Sequence, residues 1–171
     1  MDTFDGREPN RVLRCLGVVT FEEYVAARYP ALRRFAYLLC GDWAEAEDLV
    51  QDALVRCHRR WSRIDREDPH AYVRRAVVNA AHNWRRSRRI TGPLPETVAG
   101  PAAPSDERVM LVAALRQLPL QQREVLVLRY FEQLSEAEIA QHLGVAPGTV
   151  KSRAARGLEA LRASGLQEVD A

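Results

Sequence analysis

Residues 134–161 read LSEAEIAQHLGVAPGTVKSRAARGLEAL: a helix, a tight turn and a second, basic helix. Ser135 and Glu138 have the spacing of a capping box, in which the hydroxyl takes the N3 amide and the carboxylate reaches back to the cap. Ile139, Ala140 and Leu143 give the first helix one apolar side, and Gly144 offers the left-handed residue that ends it. Pro147 suits the first turn of the next helix, where a missing N–H leaves nothing unsatisfied. Val150, Ala154, Leu158 and Leu161 recur at helical spacing and are expected to face inward, leaving Lys151, Ser152, Arg153 and Arg156 outward. A short basic helix braced by another has the geometry that enters a DNA major groove. A plain helical corner with a solvated basic face satisfies the same pattern, so the corner alone leaves both readings open.

The surrounding chain narrows the choice. Its 171 residues allow one domain or two small ones. Hydrophobic content of 47% and charge of 28% are ordinary globular values. The net charge of +2 conceals strong segregation along the sequence, and Lys151 is the only lysine, a bias that fits a GC-rich genome. No apolar run is long enough for a membrane span, and the N-terminal residues lack the apolar core of a signal peptide. Cys15, Cys40 and Cys57 are scattered and odd in number, which fits a reducing cytoplasm. Cys57 beside His58 has no metal-ligand spacing and falls on an apolar helix stripe. No metal, cofactor or catalytic residue is expected.

Residues 1–19 read as an N-terminal extension, with a short helix near Val12–Val18. Thr20 and Glu23 repeat the capping-box spacing and open a helix to Cys40, with Phe21, Val25, Leu32, Phe35, Ala36 and Leu39 inward. Pro30 predicts a kink or break there, and Gly41 ends the helix. Asp42 caps the next one, whose Ala46, Leu49, Val50, Ala53, Leu54, Cys57 and Trp61 keep the helical rule closely. Its other side begins acidic, with Asp42, Glu45, Glu47, Asp48 and Asp52 around Gln51. Carboxylates at a helix start suit the helix dipole; they also make an accepting face for a basic protein partner. Local sequence leaves those two readings even.

After a polar connector at 62–68, Asp68-Pro69 starts a helix to about Arg89, expected to bury Tyr72, Ala76, Val77, Ala80, Ala81 and Trp84. No acid occurs from Pro69 through Pro95, whereas Arg74, Arg75, Arg85, Arg86, Arg88 and Arg89 fall inside that span. A solvated helix face normally mixes both signs. An arginine face set with Asn79, His82 and Asn83 points to phosphate attraction and polar contacts to bases. Residues 91–104, rich in proline, glycine and alanine, read as a flexible linker, extended where prolines cluster. Beyond it, Ser105 caps a helix through Leu118 with Val109, Val112 and Leu115 inward. Pro119 starts another with Val125, Leu126, Leu128 and Phe131 apolar, and a tail follows Gly165.

Four segments together resemble the extracytoplasmic-function (ECF) sigma factors of bacterial RNA polymerase. They are AEAEDLVQDALVR (44–56), DPHAYVRRAVVNAAHNWRR (68–86), LPLQQREVLVLRYFEQLS (118–135) and EIAQHLGVAPGTVKSR (138–153). The opening FEEYVAARYPAL looks most like the actinobacterial SigE-like subgroup. The resemblance implies an all-α fold of two small helical domains joined by the linker. Residues 20–90 would be a region 2 bundle and 105–165 a region 4 helix-turn-helix, with 166–171 a tail. It further implies that Asp48, Leu49, Gln51 and Asp52 dock on the β′ clamp helices of core polymerase. Arg75, Asn79, His82, Asn83, Arg85 and Arg86 would hold the melted −10 strand, with the 62–68 loop receiving a flipped base. Thr149, Lys151, Ser152, Arg153 and Arg156 would read the −35 element, Arg153 toward phosphate. The β flap, promoter DNA and an anti-sigma factor complete the implied partners, in the cytoplasm and without membrane insertion. Ala146 in place of a serine cap, Ala154, Ala155 and mid-helix Gly157 depart from the family pattern.

An autonomous helix-turn-helix regulator is the alternative. An acidic helix followed at once by an arginine helix argues against it, since a sensor domain needs neither. An enzyme is disfavoured because the sequence has no phosphate-binding glycine loop, metal-ligand spacing or nucleophile elbow.

Overall fold

The computed structural model describes residues 20–64, 68–91 and 106–164. Among these residues there is no strand, and the helices are α1 (Phe21–Cys40), α2 (Trp43–His58), α3 (Pro69–Thr91), α4 (Asp106–Gln117), α5 (Leu120–Leu126), α6 (Glu136–Leu143) and α7 (Pro147–Ala163). A 3-10 turn at Trp61–Arg63 follows α2, and a π turn at Val127–Phe131 prolongs α5. The all-α expectation holds. The expected extension, linker and tail, the Val12–Val18 helix, the Ser105 cap and residues 65–67 of the connector lie outside the described residues, as do the side chains of Arg88 and Arg89.

The capping chemistry forms as the sequence predicts. Thr20 and Glu23 close a full capping box on α1, and Gly41 ends that helix at φ 79°. Asp42 accepts the Glu45 amide at 3.0 Å, and Asp68 accepts the Ala71 amide at 2.9 Å. Pro30 does not break α1, which runs unbroken to Cys40. Pro30 is exposed, so the carbonyl it leaves without a partner faces water, where the loss is tolerated. The α2 stripe packs as read through Cys57, with Ala46, Leu49, Val50, Ala53, Leu54 and Cys57 all buried, but the helix stops at His58 and Trp61, expected on the same stripe, lies half-buried in the 3-10 turn. On α3 the buried stripe is rotated from the expected one: Val73, Val77, Val78, Ala80 and Ala81 are inside, whereas Tyr72 is 38% exposed.

In the second half, Val112, Leu115 and Leu118 turn inward, but Val109 is exposed and so is Phe131. Phe131 nonetheless stacks on Phe35 of α1 with ring centroids 6.5 Å apart. Ser135 and Glu138 complete the capping box of α6, and Gly144 takes φ 67°. Ala146 caps α7 without any side-chain bond. Gly157, costly in a helix interior by propensity, has a packing reason. A Cβ there would stand 2.9 Å from Leu126 Cδ1 and 3.2 Å from its Cγ, so α5 and α7 cross where only glycine fits without displacement.

One apolar cluster runs through both halves, from Tyr24 and Phe35 of α1 through Val73 and Val77 of α3 to Leu115, Leu128, Ile139 and Val150. Helices α1, α2 and α3 pack on one another, α5 and α6 each pack on α7, and α1 also meets α4 while α3 meets α6. The junction is keyed at the C-terminal end of α1. Arg123, 1% exposed, donates to the carbonyls of Leu39 at 2.5 Å, Arg116 at 2.7 Å and Leu118 at 3.2 Å. Burial lowers its pKa to about 10. The Arg116 side chain lies where a Cβ of Gly41 would be, with Cδ 2.3 Å from that position.

Candidate nucleic-acid interface

Helix α2 divides its acids between two uses. Asp42 is buried as the cap. Glu47 is held by Arg33 at 3.2 Å and by the Tyr29 hydroxyl at 3.3 Å, so these two serve the fold. Asp48, Gln51 and Asp52 are exposed. Among the described residues Asp52 meets Arg56 one turn on, at 3.5 Å, in an open pair that contributes little. Leu49 is 5% exposed; it belongs to the core and supports this face from beneath rather than presenting itself on it. Burial pushes the thiols of Cys40 and Cys57 up to about 12 and about 11, and both are free. Among the described residues no acid–histidine–cysteine group could hold a metal ion, and no helix is long and apolar enough to cross a membrane.

Helix α3 places Arg75, Asn79, His82, Asn83 and Arg86 along one side, as their three- and four-residue spacing requires. Arg75, Asn79, Asn83 and Arg86 are exposed, and Arg85 and His82 half-buried. Arg86 donates to Asn83 Oδ1 at 2.7 Å, which orients that amide. On α7, Lys151, Ser152 and Arg156 are exposed and Thr149 half-buried. Ser152 donates to the Thr149 carbonyl at 3.0 Å. The third cation of this face, Arg153, is not simply outward: it turns back to Glu124 of α5 at 3.4 Å.

Charged residues that periodicity did not single out join these surfaces. Glu124, 2% exposed, accepts from His82 at 2.5 Å as well as from Arg153, and that bond raises the His82 pKa. Glu132 accepts from Arg74 at 3.0 Å and meets His70 Nε2 at 3.2 Å, while His70 Nδ1 lies 2.9 Å from the Tyr24 hydroxyl. With a neutral imidazole, the tyrosine donates to Nδ1 and Nε2–H donates to the carboxylate. Burial pushes the Glu132 pKa up, but His70 and Arg74 outweigh it and hold it below the usual range. His70 and Arg74 are each 7% exposed. Glu132 reaches α3 because its amide bonds the Val127 carbonyl five residues back, the wide winding of the π turn. The signal that was available is a charged pair, Arg123-Glu124, on the buried side of an otherwise apolar run. Between α3 and the α5–α7 half lies a cleft of about 300 Å³, where Arg75, Asn79 and His82 face Gln121, His142 and Arg153.

Residues 24–90 match the family model for sigma-70 region 2, and residues 108–161 that for sigma-70, region 4. The chain is 42% identical over 151 residues to the RNA polymerase sigma-E factor of Streptomyces coelicolor, covering 85% of each protein. It is 34% identical over 160 residues to the ECF RNA polymerase sigma factor SigL of Mycobacterium tuberculosis, covering 87% of this chain and 88% of that one. Among solved structures it is similar to the sigma factor RpoE of Bartonella quintana, in complex with the anti-sigma factor NepR. There the TM-score is 0.72 at 27% identity, over 86% of this chain and 98% of the other. With sigma-70 region 2 and region 4 matched in that order, and with relatives 42% and 34% identical over most of both chains, the chain belongs to the ECF RNA polymerase sigma factors.

Proposed function

We propose that this sigma factor binds core RNA polymerase through α2, captures the −10 non-template strand on α3 and reads the −35 element with α7. The observation that carries the reading is the charge separation on successive helices. Helix α2 leaves Asp48, Gln51 and Asp52 open to a basic partner, and α3 lays Arg75, Asn79, Asn83 and Arg86 along one side with no acid of its own. The first face suits the β′ clamp helices. The second attracts a phosphate backbone and offers amides to unstacked bases. Lys151, Ser152 and Arg156 then contact base edges from the major groove while Thr149 and Arg153 hold phosphate. Residues 20–90 act as one unit and 105–165 as the other, joined by 91–104, and the second unit meets the β flap. The work is placement, strand capture and base readout in the cytoplasm, with no covalent step. An anti-sigma factor is a fitting further partner, as it is for the Bartonella relative.

The test is run-off transcription by core polymerase on genomic fragments, with and without the purified protein. Transcripts from defined start sites only in its presence are expected, and aligning their upstream sequences yields the two promoter elements. No added transcripts, together with tight duplex binding by the protein alone, would replace this reading with an autonomous regulator.

A further inference from the structure

The cleft of about 300 Å³ between α3 and the α5–α7 half is lined by polar groups that promoter binding leaves unused. Chief among them is His142 of α6. It is only 8% exposed, yet its Nε2 has no hydrogen-bond partner, whereas polar atoms held out of water are normally paired. The charge around it is one-sided. Arg75 lines the cleft with no carboxylate partner among the described residues. Arg153 and His82 line it too, and the single acid there, Glu124, is already shared between them. The His142 ring registers this excess. Burial first, then Arg74 and Arg75, opposed by Glu132, and last His70, hold it neutral. Two amides, Asn79 and Gln121, and an apolar wall of Val78, Leu143 and Val145 complete the lining.

We infer that this cleft is a binding site for a free nucleoside monophosphate, its phosphate taken by Arg75, Arg153 and His142 and its base by Asn79, Gln121 and the apolar wall. A neutral imidazole donates Nε2–H to a phosphate oxygen, which supplies the partner that His142 lacks. The two arginines bring the opposite charge, and the amides bring donors and acceptors for a base edge. Size sets the upper limit. The volume is at the low end of small-molecule sites, so it admits one nucleotide and not a second. The site shares Arg75, Asn79 and His82 with the strand-capture reading of α3 but needs neither polymerase nor promoter. A bound nucleotide and a DNA strand therefore compete for those three side chains.

The experiment is calorimetric titration of the full chain with adenosine, guanosine, cytidine and uridine 5′-monophosphates and with inorganic phosphate. One-to-one saturable binding is expected, with at least one nucleotide about tenfold tighter than phosphate because its base is also taken out of water. Gln121→Glu sets a carboxylate in the cleft from the first turn of α5, where an acid suits the helix. It is expected to weaken binding about tenfold or more. Gln117→Glu, at an exposed position outside the cleft, makes the same charge change and should leave binding as it was. In nuclear magnetic resonance the His142 titration midpoint should rise by about one pH unit or more with nucleotide bound, since an anion beside the ring favours the imidazolium. His142→Leu identifies the signals. Absence of saturation with all four nucleotides overturns the inference, as does phosphate binding as tightly as any of them. So does a loss with Gln121→Glu no greater than with Gln117→Glu, or a His142 midpoint that stays in place. Failure of the sigma-factor reading shows elsewhere, as absence of start-site transcripts with the wild-type protein.

Discussion

Gly157 and His142 show how single positions answer to neighbours far away in sequence. By propensity alone Gly157→Ala stabilises α7 by about 1 kcal/mol. Leu126, 3% exposed, stands in the way of the added methyl and has little room to swing, and overpacking of this kind costs about 1–3 kcal/mol. The substitution is expected to lower stability by about 1 kcal/mol in urea titrations, and to raise it instead in a Leu126→Ala background, where the space is vacated. A stabilised single variant would mean that α5 and α7 separate more easily than their packing implies. His142 is 8% exposed, and its Nε2 has no partner. Burial first, then the charges of Arg74 and Arg75, lower its pKa to about 4. A depressed pKa means the unfolded chain takes the proton first, so stability is whole above about pH 6.5 and falls as pH drops toward 4. The loss over that window comes to about 3 kcal/mol. His142→Leu, followed by denaturant titration at pH 7, 6 and 5, should flatten the fall; an unchanged slope would assign it to another group.

At the scale of the helix, the test lies on α2. Asp48→Arg with Asp52→Arg alters two exposed positions, so circular dichroism should stay unchanged while binding to core polymerase drops by at least about a hundredfold, the loss of two close charge pairs. Undiminished binding would move the docking surface off this helix. The same helix was legible in sequence up to its last turn, because its stripe is apolar, its cap is local and both depend on near neighbours; Trp61, read as its end, lies in the 3-10 turn beyond it. Helix α3 was legible in kind but not in rotation. Periodicity put Tyr72 inside, whereas the buried side carries His70 and Arg74, whose acceptor Glu132 lies just past the π turn of the other half. No local pattern predicts that His70 and Arg74 will be satisfied out of water by a residue 62 and 58 positions on. The break allowed for at Pro30 does not occur, for a related reason: the rule that proline breaks a helix assumes a carbonyl with no other partner, and an exposed face supplies water. Leu49 has the opposite history, since its place on the α2 stripe already marked it as core.

Across the whole molecule, the continuous apolar cluster and the ionic contacts over the junction predict one cooperative unfolding event. Calorimetry of the wild type should show a single transition with calorimetric and van't Hoff enthalpies equal. Glu132→Arg should split it in two, because each half keeps its own helices while the coupling is lost. Two transitions in the wild type would mean that the halves melt independently. This coupling could not be read from the sequence. The helices of each half announce themselves by period, but which surfaces meet after a linker depends on pairs such as Phe35 with Phe131 and His82 with Glu124.

Arg123 gives that junction an asymmetry visible to genetics. Its three acceptors, at Leu39, Arg116 and Leu118, are main-chain carbonyls, present whatever side chains those positions carry. Drift at the receiving positions therefore leaves the acceptors in place, while a change at residue 123 has no complementary substitution to answer it. Selection for second-site revertants would separate the two kinds of fastening. Lesions at Glu132 can be rescued by an altered charge at residue 74, whereas lesions at Arg123 should revert only at their own codon.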